Sequence, residues 1–211
     1  MTYRLDMTMM FAVHDALRRD VERVAKLTAR LDDDPRRLLG AALGWELFKG
    51  YLRVHHTTED DMLWPVMERT LAGRPDELAL LAAMEAEHAL IDPLLASFDE
   101  ALADPDTGHE RLGGLADSLA TVLGGHLSHE EREALAVIDL SVTEEEWQRF
   151  GQEHGKRIGA DAQRYLPWVL DEASEERVSF ILGRMPEHIR KAYHEEWRAA
   201  YVALNTWGAR A

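Results

Sequence analysis

Cysteine is absent from all 211 residues. Disulfides, thiolate zinc sites, iron–sulfur clusters and cysteine nucleophiles are thereby excluded, and any metal must be held by nitrogen and oxygen. Basic residues are scarce beside acidic ones, 24 Lys and Arg against 39 Asp and Glu, for a formal net charge of −15. Such a chain has no cationic surplus for phosphates or anionic headgroups, so neither nucleic acid nor a membrane is expected as a partner. Long apolar runs are also missing. No stretch nears the roughly 20 apolar residues of a membrane span, and the apolar run near the N-terminus stops at His14-Asp15, too soon for a secretory signal. A soluble cytoplasmic protein is expected. Val, Ile and Thr never gather into alternating runs, which argues against a sheet.

What is present is helical periodicity. A first helix is expected from Thr8, as N-cap, to Leu31, and a second from Pro35, capped by Asp34, to about Glu68. A third spans Pro75 to Leu102, with Pro93 expected to kink it just past His88. A fourth opens on a Thr107/Glu110 capping box and ends near Asp139. Short connections between long helices imply antiparallel neighbours, so residues 1–140 read as an up-down-up-down four-helix bundle of the all-α class. Residues 141–211 read as a helical extension packing on it. Thr143/Glu146 and Ser174 serve as caps there, and the extension is rich in Trp and Tyr.

Ten histidines stand out, and their positions matter more than their number. The inward seam of the second helix is Trp45, Phe48, Leu52, His55, Glu59, Met62, Val66. The adjacent stripe, Lys49, Arg53, His56, Asp60, reads as a solvated face. The first helix contributes His14, Leu17, Val21, Val24, Leu31, and the third Leu81, Met84, His88, Ile91, Leu95, Phe98, Leu102. The fourth contributes Leu112, Leu115, Leu119, Val122 and His126, with Glu130 one turn further. Counted from each turn at ~1.5 Å per residue, these histidines fall at similar heights. Four His and two Glu therefore converge on one level of the core, where carboxylates without cations would have to be protonated. Such a set exceeds one tetrahedral zinc and suits two octahedral-preferring ions sharing bridging carboxylates.

The segments His55-His-Thr-Thr-Glu59 and His126-Leu-Ser-His-Glu130, with His14 and His88, resemble the H…HxxxE…H…HxxxE order of hemerythrin-like (HHE cation-binding) domains over about residues 8–140. The resemblance implies a non-heme diiron centre with an oxo or hydroxo bridge. It implies His14 and His55 on one iron, His88 and His126 on the other, and Glu59 and Glu130 bridging. Nitrogen and oxygen ligands also permit manganese. Two His per iron leave an open position on both, which leans toward a redox enzyme of the peroxidase, catalase or oxidase kind acting on dioxygen, peroxide or nitric oxide. The other readings are reversible oxygen or iron binding, storage or sensing, and an oxidase or oxygenase whose small organic substrate sits under the extension. A homo-oligomer is compatible with all three. His129 with Glu133 competes with His126 and Glu130 for the same role, and a ferritin-like arrangement finds only Glu85-x-x-His88. Tyr51 reads as an edge aromatic, and His154, His188 and His194 as solvated.

Overall fold

The computed structural model describes residues 2–30 and 34–208. Leu31, expected at the end of the first seam, lies outside them. Helix α1 is Thr8–Thr28; Thr8 is its first residue and not its cap, and Asp6 Oδ1 accepts the Thr8 N–H at 3.0 Å. The expected second helix is divided into α2 (Pro35–Ala41), α3 (Leu43–Met62) and α4 (Trp64–Thr70). Asp34 caps α2 through the Arg36 N–H, as its sequence predicts. The break at Ala42 comes from the other end of the chain. Gly44 donates its N–H to the Thr206 carbonyl at 2.6 Å, and a Cβ on Gly44 would stand 2.3 Å from the Trp207 ring. At Leu63 the helix is redirected just before Pro65, which has no N–H to give.

Helix α5 (Pro75–Ala103) runs unbroken through Pro93. The capping box expected for α6 (Gly108–His129) does not form, because Thr107 Oγ1 donates instead to Asp104 Oδ2 at 2.8 Å. Asp104 also takes the N–H groups of Asp106 and Thr107, so the nearer carboxylate wins the local competition. Helix α6 passes into a π turn at Glu130–Ala134 before α7 (Leu135–Ser141).

Helices α1, α3, α5 and α6 close a square in which each packs on its two neighbours, the up-down-up-down bundle expected. No strand occurs among the described residues, and no helix is long and apolar enough to cross a membrane. The bundle interior is two apolar clusters. Met10, Leu63, Met67, Met84 and Leu135 belong to one, and Leu17, Phe48, Leu52, Ile91 and Leu123 to the other. On every helix of the square the expected His or Glu falls between the two.

The C-terminal extension packs on this frame. Helix α8 (Glu144–Ile158), opened by the Thr143/Glu146 capping box, lies on α3, and α9 (Ala162–Val169) lies on α1. Helices α10 (Glu175–Leu182, capped by Ser174), α11 (Glu187–Ala192) and α12 (Arg198–Leu204) follow, with a π turn at Tyr193–Trp197. Leu166, Trp168, Val178 and Tyr201 join the same cluster as Leu17 and Phe48. A buried polar knot fastens this layer. Asp20 on α1 accepts Trp168 Nε1 at 2.7 Å and pairs with Arg19 and Arg23 at 3.1 and 3.0 Å, while Arg19 reaches the Trp168 and Asp171 carbonyls. Asp20→Ala removes the common acceptor and leaves the buried Trp168 indole N–H unsatisfied, while Arg19 keeps the Trp168 and Asp171 carbonyls and Arg23 keeps Asp171 and Glu172. It is expected to cost about 1–3 kcal/mol of stability in urea titrations, the penalty for a buried donor left without its acceptor.

Candidate metal centre

Between the two apolar clusters, His14 Nε2 and His55 Nε2 approach to 3.1 Å, and His88 Nε2 and His126 Nε2 to 3.0 Å. Two donors on adjacent positions of one octahedral ion, each about 2.1 Å from it, stand about 3.0 Å apart, so each pair has the spacing of neighbouring ligands. The carboxylates link the pairs. Glu59 turns Oε1 toward His55 (3.4 Å) and Oε2 toward His88 (3.6 Å), while Glu130 Oε2 lies 3.2 Å from His14 and 4.0 Å from His126. All six sequence-predicted residues are brought together and buried.

Both carboxylates are fully buried, and none of their four oxygens accepts a well-formed hydrogen bond. Without a cation the site compensates by moving protons. Burial, and then the charge of Glu130, push the Glu59 carboxyl well up, so it is held neutral. Burial also opposes charge on His14, but Glu130 and Glu131 outweigh it and raise His14 to about 9; burial opposes Glu130 as well, yet His14 keeps it lowered. Burial pushes His55 and His126 down, so these imidazoles are neutral and keep a lone pair. Orphaned oxygens beside unprotonated ring nitrogens are a donor set that fits a pair of cations.

Three carboxylates orient the rings from behind. His14 Nδ1 lies 2.9 Å from Glu131, His88 Nδ1 2.7 Å from Asp60 and His126 Nδ1 3.0 Å from Glu87. An ionised carboxylate only accepts, so Nδ1 carries a proton in each of these rings and Nε2 is the nitrogen turned to the centre; on His14, charged in the metal-free site, Nε2 is protonated too and would give up that proton to a bound cation. One of these contacts comes from the π turn Glu130–Ala134. That turn starts at Glu130, whose side chain is in the core, while its neighbour Glu131 lies on His14. His129 does not take the place of His126; it shares the Glu87 carboxylate at 2.8 Å.

One expectation about this region is corrected. His56 is not on a solvated face: it is buried against His88, ring centroids 4.0 Å apart, and offers a ring nitrogen within 4.8 Å of those of His88 and His126, while Asp60 stays 39% exposed. Asp60 is drawn inward by His88 and by Trp64 Nε1 at 3.0 Å. His56 is buried because it packs on His88 of α5 and His126 of α6, so the buried face of α3 is wider than its apolar stripe. Adjacency to His55 was the signal available. Tyr51 donates its hydroxyl to Asp161 of the extension, away from the paired imidazoles.

His188 and His194 are exposed as expected, whereas His154 packs between Phe150 and Tyr165 with its Nε2 buried and without a partner. Burial, aided by Arg157, lowers its pKa from 6.5 to about 4. Between those values the unfolded chain takes up a proton that the folded protein refuses, so stability contributed by neutral His154 is present above about 6.5 and falls as pH falls. His154→Leu is expected to flatten that part of the acid unfolding profile by on the order of 2 kcal/mol, read from urea midpoints at pH 7 and pH 4.5.

Among curated proteins, two BRUTUS-like zinc finger proteins and the zinc finger protein BRUTUS, all of Arabidopsis thaliana, are 22, 21 and 22% identical to the chain over 201, 209 and 221 residues. The similar stretches cover 90, 90 and 89% of this chain but 16, 17 and 18% of those proteins, so the chain spans less than a fifth of their length. No solved structure matches it. The family model described as "Hemerythrin HHE cation binding domain" matches residues 6–138, the bundle that carries all six residues. With that match over more than half its length, and with the His and Glu residues gathered as the motif order requires, the chain belongs to the hemerythrin HHE cation-binding family.

Proposed function

We propose that the six residues hold two iron ions bridged by Glu59 and Glu130, and that this centre binds and reacts with dioxygen, peroxide or nitric oxide. The observation that carries the reading is the pair of Nε2–Nε2 separations, 3.1 and 3.0 Å, with a partnerless carboxylate reaching from one pair to the other. Two irons, when bound, supply one-electron steps and coordination positions for a small oxidant. The chain supplies the rest. Glu131, Asp60 and Glu87 hold the Nδ1 protons, so the rings cannot turn or change tautomer. Apolar clusters above and below exclude water and strengthen every electrostatic contact between them.

A second reading, reversible binding or sensing, is favoured by His56, whose ring nitrogen groups with those of His88 and His126. The surroundings of the two positions are therefore unequal, unlike the balanced set expected from the sequence. An organic substrate under the extension finds less support. A cavity of about 340 Å³ there is lined by Arg19, Arg23, Tyr201 and Trp207 among others, and by none of the six.

The test is optical. The protein is loaded with ferrous iron without oxygen, exposed to oxygen, then purged with argon. Irreversible conversion to a diferric spectrum is the expected result. A band that vanishes on purging selects the second reading, and failure to hold about two irons by elemental analysis overturns both.

A further inference from the structure

His88 and Asp60, the carboxylate behind its ring, form part of the wall of a cavity of about 310 Å³ between α3 and α5. Arg53 and His56 line it from α3, and Glu85 and Asp92 from α5. Three carboxylates thus face one guanidinium, and the opening is net negative. The other carboxylates behind the rings are covered. Arg18 lies on Glu131 at 2.7 Å, and Glu87 is shared by His126 and His129. On the α3–α5 side Asp60 meets only His88 and Trp64, and neither Glu85 nor Asp92 has a hydrogen bond or ion pair among the described residues.

His56 supplies an independent sign of a ligand. It is buried on this wall, and its Nε2 has no hydrogen-bond partner. A buried nitrogen left unpaired is costly, so its surroundings favour a cation that accepts its lone pair. The ring is stacked on His88, centroids 4.0 Å apart at 13°, so one ion cannot lie in both ring planes. A cation on His56 is therefore short of its final position. It stands one step from it, because ring nitrogens of His56, His88 and His126 lie within 4.8 Å of one another.

We propose that this cavity is the port by which the metal enters: Glu85, Asp92 and Asp60 draw a hydrated divalent cation from solvent, and His56 holds it in passing before His88 and His126 take it. The inference rests on the two-metal reading above. Carboxylates at a mouth raise the rate of arrival of a cation, and salt screens that effect. Glu85 and Asp92 do not belong to the final ligand set, so they govern how fast the centre fills and not how many ions it holds.

The experiment is stopped-flow uptake of Co(II), followed by its visible absorption, into the metal-free full chain at low and high ionic strength. The wild-type protein should take up two ions per chain, more slowly as salt is raised. The double variant Glu85→Gln, Asp92→Asn should load about tenfold more slowly at low salt, approach the wild-type rate at high salt, and still end at two ions. Ala89→Arg, which adds bulk and a cation to the same wall, and His56→Leu should be slow at both salt concentrations. Removing the same charge from α10 and α11, by Glu176→Gln with Glu187→Gln, should leave the rate unchanged. Circular dichroism establishes that the variants fold. Wild-type rates in the Glu85→Gln, Asp92→Asn variant, or equal slowing in the α10–α11 variant, overturn the port. A wild-type rate in Ala89→Arg does the same, and one in His56→Leu overturns the transfer through His56. Fewer than two ions in the wild type instead overturns the two-metal reading.

Discussion

Chelation of the iron-loaded protein is expected to lower its thermal midpoint by roughly 10–20 °C. A ligand that binds only the folded state at a hundred times its dissociation constant stabilises by about 2.7 kcal/mol, so two such ions contribute about 5 kcal/mol. For a domain of this length each kcal/mol moves the midpoint by about 2–4 °C. The structural reason lies in the layer between the apolar clusters, where Glu59 and Glu130 are fully buried with partnerless oxygens. In the metal-free protein that layer is held by protons alone, one on Glu59 and one on His14. Scanning calorimetry with and without a chelator measures the difference, and a shift below about 2 °C would remove metal from the list of what stabilises this fold.

Substituting the two carboxylates should separate metal binding from stability. Glu59→Gln is expected to reduce iron from two per chain to less than one, because Glu59 alone turns one oxygen toward each imidazole pair. In the metal-free state the same change should cost no more than about 1 kcal/mol, since burial already keeps the Glu59 carboxyl neutral and an amide has its shape. Glu130→Gln is expected to differ. Glu130 is ionised against His14, so its loss should also destabilise the metal-free protein, on the order of 1–2 kcal/mol. Elemental analysis and urea titration in the presence of chelator check the two halves. Equal metal-free stability losses for the two variants would contradict the proton assignment.

The seams show how far periodicity reaches. His14, Leu17, Val21 and Val24 are all buried as read, and so are Leu81 through Phe98 on the third helix's seam. On α6 the buried line is Leu112, Ala116, Leu119, Leu123 and His126, so Leu115 and Val122 were each one position off. Small residues hid the true line, because Ala116 adds little to a hydrophobic count yet sits where α6 meets its neighbours. Past Leu63 the seam also shifts, from Met62 and Val66 to Leu63 and Met67. The cause is the interruption before Pro65, and a seam drawn through continuous helix has no means of seeing it.

By itself the sequence determined the helical class, the order of the long helices and the six inward-facing His and Glu residues. Each depends on spacing along one chain segment, and helical spacing fixes which side chains share a face. Tertiary structure alone decided the rest. Glu131, Asp60 and Glu87 reach the backs of His14, His88 and His126 from 117, 28 and 39 residues away in the chain, distances over which no local pattern operates. His56 became buried only by packing on His88 of α5 and His126 of α6. The break at Ala42 was likewise made by Thr206 and Trp207, from the far end of the chain. Short-range periodicity selects the residues that face the core; long-range packing decides which of them touch, and so which nitrogens and oxygens are left waiting for a cation.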